Sequence, residues 1–253
     1  MTPLPLVTAA GAAVGGLVGI FGVGGSSIAG PLLALAGVPS LAAIASPLPA
    51  AIPTAMVAAR PYVRSGDARR AAAAWTLLGA VPATVAGGLL SRAVGGPALL
   101  LASGAILVPV GLRVLLPVSD GARETGARRR QDRPLLVASA ACVGLVSGLL
   151  ANGGGFLLVP LYVLAFGLRM RQAVGTSLLV VAALSVPNLI THWALGHIDW
   201  AVAGAFAVGA LPASFAASRW TGHFGAGRQR RFFGLFLIAF GLVFTAYRLW
   251  QGS

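Results

Sequence analysis

Hydrophobic positions in this chain fall in long blocks rather than in alternation. Apolar segments cover residues 4–36, 41–59, 71–91, 97–117, 134–167, 172–195, 200–218 and 232–250, with short polar connections between them. A run of about 20 apolar residues is the length at which a helix crosses the hydrocarbon core of a bilayer. The segments 4–36 and 134–167 are too long for that. As single helices they would extend about 50 Å, well beyond a core of about 30 Å. Both are interrupted at matching places, by Gly22-Val23-Gly24-Gly25-Ser26-Ser27 and by Asn152-Gly153-Gly154-Gly155. Each interruption is followed by a proline in register, Pro31 and Pro160.

The two halves of the chain align. Gly15, Gly19, Gly24, Gly25 and Pro31 match Gly144, Gly148, Gly153, Gly154 and Pro160 without a gap, and after one inserted residue Ala43–Leu48 matches Ala173–Leu178. Self-similarity of this length marks a repeat architecture. The long polar stretch, 118–133, lies between the copies.

Charge decides the direction of the repeat axis. If each broken segment crossed once, the arginines would divide 11 against 7 between the two sides. If each turns back at its glycines, the division becomes 16 against 2, with Arg92 and Arg248 alone outside. Basic residues favour the cytoplasmic side, so the second topology is expected. The fold class is then an all-α polytopic membrane protein of two inverted repeats. Each repeat is a Gly-broken helical hairpin plus three spanning helices. Residues 1–117 form the N-terminal repeat, 118–133 a cytoplasmic linker and 134–253 the C-terminal repeat, with both termini outside.

Composition agrees. The chain is 57% hydrophobic and 9% charged, which no water-soluble domain could bury. Met1-Thr2-Pro3-Leu4-Pro5 lacks the basic start of a signal peptide, so it is kept in the mature chain, in the cytoplasmic membrane. A net charge of +13 would suggest nucleic acid in a soluble protein. Here the arginines sit in the connections between spans, as orientation signals do, and no nucleic-acid partner is expected. Cys142 is the single cysteine, and His192, His197 and His223 are scattered. The five acids lie in or beside loops. No catalytic constellation, metal site or cofactor is expected.

Paired, Gly-interrupted apolar segments point to the substrate site of a repeat-built transporter. Glycine takes the positive φ that ends a helix and admits close approach of a ligand. The leg that follows begins with unpaired N–H groups at a positive dipole end. Gly24, Gly25, Ser26 and Ser27 at one break, and Asn152, Gly153, Gly154 and Gly155 at the other, form the expected cradle for a small anion. Gly11, Gly15, Gly19, Gly144 and Gly148 are read as packing positions, and Gly148→Ala is expected to do less harm than Gly154→Val.

Ser46, Thr176 and Ser177 begin the next span of each half at matched positions. Their hydroxyls either face the cradle or bond back to their own helix carbonyls; both readings stand. Pro47, Pro49 and Pro53 should kink the first-half copy of that span. Asn188 and His192 lie one helical turn apart on the sixth segment. His192 is either an intramembrane, proton-linked group or an interfacial histidine near Trp193 and Trp200.

These residues resemble the sulfite exporter TauE/SafE family of membrane permeases. The family pattern is a Gly-x-Gly-Gly-Gly turn, a following Pro and an Ala-x-Gly-Thr-Ser-Leu run in both halves. The second half carries it closely as Gly153-Gly154-Gly155, Pro160 and Ala173-Val174-Gly175-Thr176-Ser177-Leu178. The first half departs, with Ser26 for the third glycine and Ser46-Pro47-Leu48 for Thr-Ser-Leu. The resemblance implies transport of sulfite, sulfonates or other small organosulfur anions. The residues by themselves support a small anion or a small polar solute. A passive anion channel shares the same cradle, and a non-transport membrane subunit is the remaining alternative.

Overall fold

The structure, a computed structural model, describes residues 4–21, 26–115, 132–220 and 226–252. The first glycine break with Gly24 and Gly25, most of the linker and the two terminal residues Met1 and Ser253 lie outside the described residues, as do the side chains of Ser26 and Ser27. Among the described residues the chain is all helical. The helices are α1 (Leu4–Phe21), α2 (Ser26–Leu35), α3 (Ser40–Ala45), α4 (Leu48–Arg64), α5 (Arg70–Val94) and α6 (Gly96–Leu115), then α7 (Arg133–Leu149), α8 (Gly155–Pro160, continued by a π turn over Leu161–Ala165), α9 (Met170–Ala194), α10 (Trp200–Trp220) and α11 (Ala226–Gly252). Among the described residues five helical stretches are long and apolar enough to cross a membrane alone: Ser40–Arg64, Arg70–Val94, Gly96–Leu115, Met170–Ala194 and Trp200–Arg219. The others are shorter apolar helices, including Leu4–Ile20, Arg133–Leu149 and Gly155–Ala165.

The second broken segment doubles back. Arg133, at the start of α7, lies over the Trp75 ring at 5.0 Å. Tyr162, in the returning leg, shares a 2.6 Å hydrogen bond with Thr76. Both ends of the segment therefore sit beside the first turns of α5.

Small residues let the backbones of neighbouring helices touch, as they must where lipid supplies no hydrophobic drive between helices. A Cβ built on Gly11 would stand 2.3 Å from the Phe206 carbonyl oxygen, and one on Gly15 2.2 Å from that of Ala210. Helices α1 and α10 thus run side by side in the same direction. The corresponding pair across the halves, α5 and α7, repeats this. There a Cβ on Gly79 would meet the Val137 carbonyl at 2.1 Å, and one on Gly87 that of Leu145 at 2.1 Å. Helices α6 and α11 run opposite ways, since Gly104 abuts Phe244 while Gly111 abuts Gly234. Helices α4 and α9 also pack together, and each touches the second long helix of the other half, α4 against α10 and α9 against α5. Exchanging the two halves maps this set of pairs onto itself.

The prolines act as the sequence suggests. Helix α3 stops at Ala45, Ser46 and Pro47 make a turn, and α4 restarts at Leu48, whereas its counterpart α9 runs unbroken for 25 residues. Gly148 is a packing position, as expected, and a tight one. A Cβ there would lie 2.0 Å from the Thr84 carbonyl oxygen, and a backbone oxygen cannot step aside. Gly148→Ala is expected to lower stability by about 1–3 kcal/mol through overpacking. Gly204→Ala, at an exposed helical position with nothing within 4 Å, should be neutral or raise it by up to about 1 kcal/mol. Thermal unfolding of the two variants in detergent checks the pair.

Candidate functional site at the second helix break

Helix α7 ends in the interior of the bundle, and its last carbonyls need partners. The N–H of Asn152 returns to the Ser147 carbonyl at 2.9 Å and that of Ala151 to Gly148 at 3.2 Å. This is the two-bond closure of a helix C-terminus that normally has glycine at its left-handed position. Here that position is Ala151, with φ 47°. A non-glycine residue held in this region stores strain, and such positions gather at functional sites.

Side chains of α9 supply the remaining donors. Asn188 Nδ2 donates to the Asn152 carbonyl at 2.7 Å and, more weakly, to that of Ser147 at 3.4 Å. The Ser147 hydroxyl also donates to the Asn152 carbonyl. One turn further along α9, His192 Nε2 bonds the Gly148 carbonyl at 3.0 Å. Asn188 and His192 are thus a two-turn clamp on the carboxyl end of α7. His192 is 2% exposed, while its neighbour Trp193 is 61% exposed and meets Trp200 edge-on at 6.4 Å. The two tryptophans face outward, whereas the His192 side chain turns into the bundle.

The break itself is shaped by its glycines. Asn152 Oδ1 accepts from the Gly154 N–H at 2.8 Å. Gly154 sits at φ 69° as the residue before α8, a conformation that costs an L-residue roughly 1–2 kcal/mol. Gly153 is needed for space, because a Cβ there would stand 2.5 Å from Val181 Cγ1 and 3.3 Å from Ser185 Oγ. Val181 and Ser185 occupy the central turns of α9. Asn152, Gly153, Gly154 and Gly155 are therefore brought together against the middle of a spanning helix, and all are buried.

Three buried polar atoms at this place have no hydrogen-bond partner: Asn152 Nδ2, Ser185 Oγ and Asn188 Oδ1. Such atoms are rare in folded proteins and call for a specific explanation. Ser185 escaped the sequence reading. The signal was available in the alignment of halves. Ser147, Ser185, Asn188 and His192 correspond to Val18, Ala55, Ala58 and Tyr62, so at these positions the serine, amide and imidazole groups belong to the second half. The matching region of the first half is an apolar cleft lined by Val14, Val18, Ala51, Thr54, Ala55 and, from the other half, Val181.

The structure places Ser46, Thr176 and Ser177 elsewhere. Ser46 Oγ accepts from the Asp199 N–H at 3.0 Å, and Thr176 Oγ1 accepts from the Arg69 N–H at 3.0 Å. Asp199 and Arg69 precede α10 and α5. They correspond across the repeat, so each hydroxyl tethers the start of the second long helix of the other half by the same rule. The two tethers lie at opposite ends of α4. Thr176 also donates to Gln172, and Ser177 to Val174, within their own helix.

One end of the bundle gathers Pro39, Arg92 and residues 196–199. There His197 Nδ1 lies 3.0 Å from His192 Nδ1. Burial, helped by the Arg92 guanidinium, pushes the His197 imidazole below its ordinary range. The opposite end gathers Asp67, Arg69 and Arg171, with Arg171 Nε 3.0 Å from Asp67. Burial alone would raise the Asp67 carboxyl, but the Ser65 hydroxyl and Arg171 outweigh it and hold it below the usual carboxylate value. Among the described residues no group of acids, histidines and cysteine has the arrangement of a metal site.

A helical bundle with a strained, polar break held at the centre of its spans is the architecture of a membrane transporter. The family model described as sulfite exporter TauE/SafE matches residues 7–244, and the chain belongs to that family of membrane transporters. A protein of Xylella fastidiosa strain 9a5c named a probable membrane transporter protein is 29% identical over 252 residues, covering 95% of this chain and 94% of the relative. The probable membrane transporter protein YunE of Bacillus subtilis strain 168 is 36% identical over 74 residues, 29% of this chain and 27% of its own length. No solved structure matches the chain.

If Ser46 and Thr176 serve as tethers, removing either hydroxyl strands a backbone donor. Ser46→Ala and Thr176→Val are each expected to lower stability by about 0.5–1.5 kcal/mol, with Thr176→Ser close to the parent. Denaturation midpoints of the purified variants provide the check.

Proposed function

We propose that the protein is a permease that moves a small sulfur oxyanion or organosulfonate across the cytoplasmic membrane, held at the Asn152–Gly155 break in the middle of the bundle. The observation that carries this reading is the convergence of Asn152 Nδ2, Ser185 Oγ and Asn188 Oδ1, buried and without partners, on a helix break. Two of these groups donate to an anionic oxygen; of the N–H groups that open α8, those of Leu157 and Leu158 already bond the Gly154 carbonyl, so the side chains carry the recognition. Asn188 Oδ1 accepts, which suits an anion that also carries an O–H or N–H. The word sulfur comes from the family. Gly24, Gly25, Ser26 and Ser27, which lie at the first break, are proposed by the alignment of the halves to contribute to the same site.

We read the two halves, 1–117 and 134–253, as inverted repeats joined by a cytoplasmic linker. In support, the corresponding helices α6 and α11 run opposite ways, and the corresponding tethers sit at opposite ends of α4. An axis in the membrane plane produces both features. The arginine-rich Asp67 end then faces the cytoplasm.

Counterflow in proteoliposomes with sulfite, thiosulfate, sulfate and methanesulfonate tests the function. Saturable exchange of at least one of these is expected; unsaturable flux without countertransport would indicate a passive channel instead. Gly154→Val should abolish exchange with the protein still inserted, because a β-branched residue resists positive φ and fills the break. Asn152→Ala and Ser185→Ala should each weaken binding by about 1–3 kcal/mol. Loss of binding in Arg60→Gln or Arg169→Gln, with both of those variants unaffected, would move the site to a loop-borne cation.

A further inference from the structure

His192 and His197 are joined by a hydrogen bond whose tautomers are fixed by their surroundings. The Gly148 carbonyl only accepts, so the hydrogen of neutral His192 sits on Nε2. Its Nδ1 then carries a lone pair. The 3.0 Å approach of the two Nδ1 atoms requires one hydrogen between them, and that hydrogen belongs to His197. Neutral His197 is left with a bare lone pair on Nε2. His197 is partly exposed and lines an open cleft with Pro39, Leu41, Ala42, Ile198 and Asp199.

From this arrangement we infer that the His192–His197 pair is a proton-binding site coupled to the Asn152 break, so that anion and proton are bound together. The inference rests on the anion site proposed above. A proton arriving at His197 Nε2 makes an imidazolium whose Nδ1–H already points at His192. Transfer along the shared hydrogen bond breaks the N–H bond at His197 Nδ1 and forms one at His192 Nδ1. His197 returns to neutrality as its other tautomer, and His192 becomes an imidazolium that donates from both nitrogens. The step balances with no other reactant.

The charges around the pair explain why an anion should accompany the proton. Helix α5 presents Arg92, and its Gly88 lies against the His192 ring. Helix α7 presents the Gly148 carbonyl and no charged side chain at this end. The 195–199 connection brings Asp199, whose carboxylate already accepts from the N–H groups of Ala201 and Val202. Those bonds leave Asp199 its single negative charge, which offsets only one of the two positive charges that Arg92 and an imidazolium would bring, so one stays uncompensated. An anion at the break compensates it, since Asn188 lies one turn from His192, about 6 Å along the helix. The reverse also holds. The break contains no arginine, and an imidazolium at His192 gives it a cation. Linkage makes the two effects equal.

The test is calorimetry of methanesulfonate binding to the protein in lipid nanodiscs at pH 6 and pH 8, in buffers of different ionisation heat. Methanesulfonate stays a monoanion throughout, so any proton taken up goes to the protein. Uptake approaching about one proton per anion is expected, with affinity about tenfold or more tighter at pH 6. His192→Gln keeps a donor for the Gly148 carbonyl but does not titrate, and should bind with less than about twofold difference between the two pH values. Imidazole nitrogen NMR of the parent protein gives an independent readout: with methanesulfonate bound at pH 6, both nitrogens of His192 should carry hydrogen. Binding without proton uptake, or pH dependence that persists in His192→Gln, overturns this inference alone. Absence of binding at both pH values overturns the anion site and this inference with it.

Discussion

A helix that ends inside a membrane leaves carbonyl groups that neither water nor lipid can satisfy. The carboxyl end of α7 is such a place, and much of the second half is arranged to meet its demand. The Ser147 hydroxyl, the Asn188 amide and the His192 ring converge on three carbonyls within six residues. Ala151 accepts a left-handed backbone to close the turn. Once these obligations are met, Asn152 Nδ2, Ser185 Oγ and Asn188 Oδ1 are left over. The structure that solves the backbone problem thus holds unspent hydrogen-bonding groups at the centre of the bundle.

Rigidity around this point comes from backbone contact. Helices α5 and α7 touch through Gly79, Gly87, Gly144 and Gly148, and α1 and α10 touch through Gly11, Gly15 and Gly209. At such distances no side chain intervenes to yield. The Ser46 and Thr176 tethers fix where α10 and α5 begin. At the junction of α4 and α9, Val181 separates the polar break from the apolar cleft of the first half.

Much of this was legible in the sequence. Segment lengths and the glycine breaks gave the doubling back of 134–167, and the prolines gave the interruption at Ser46–Pro47. The packing glycines were recognised, though not how closely Gly148 meets Thr84, since helix separation cannot be read from spacing. Thr176 and Ser46 were matched across the halves with two roles left open, facing the cradle or bonding back to their own helix, and the tether was in neither, because a hydroxyl's partner 107 or 153 residues away is invisible in one sequence. His192 looked as interfacial as Trp193 beside it; only the direction each side chain takes from the helix separates them. Ser185 was overlooked because a lone serine in a span is usually bonded to its own helix. Its failure to do so is a property of the fold.

The central claim is that the anion is held at the break between α7 and α8 by neutral donors. Anomalous scattering from crystals loaded with selenite, a heavier analogue of sulfite, tests it most directly. The account predicts a selenium peak within hydrogen-bonding reach of Asn152 Nδ2 and Ser185 Oγ. A peak beside Arg69, Arg169 or Arg171, with none at the break, would contradict it.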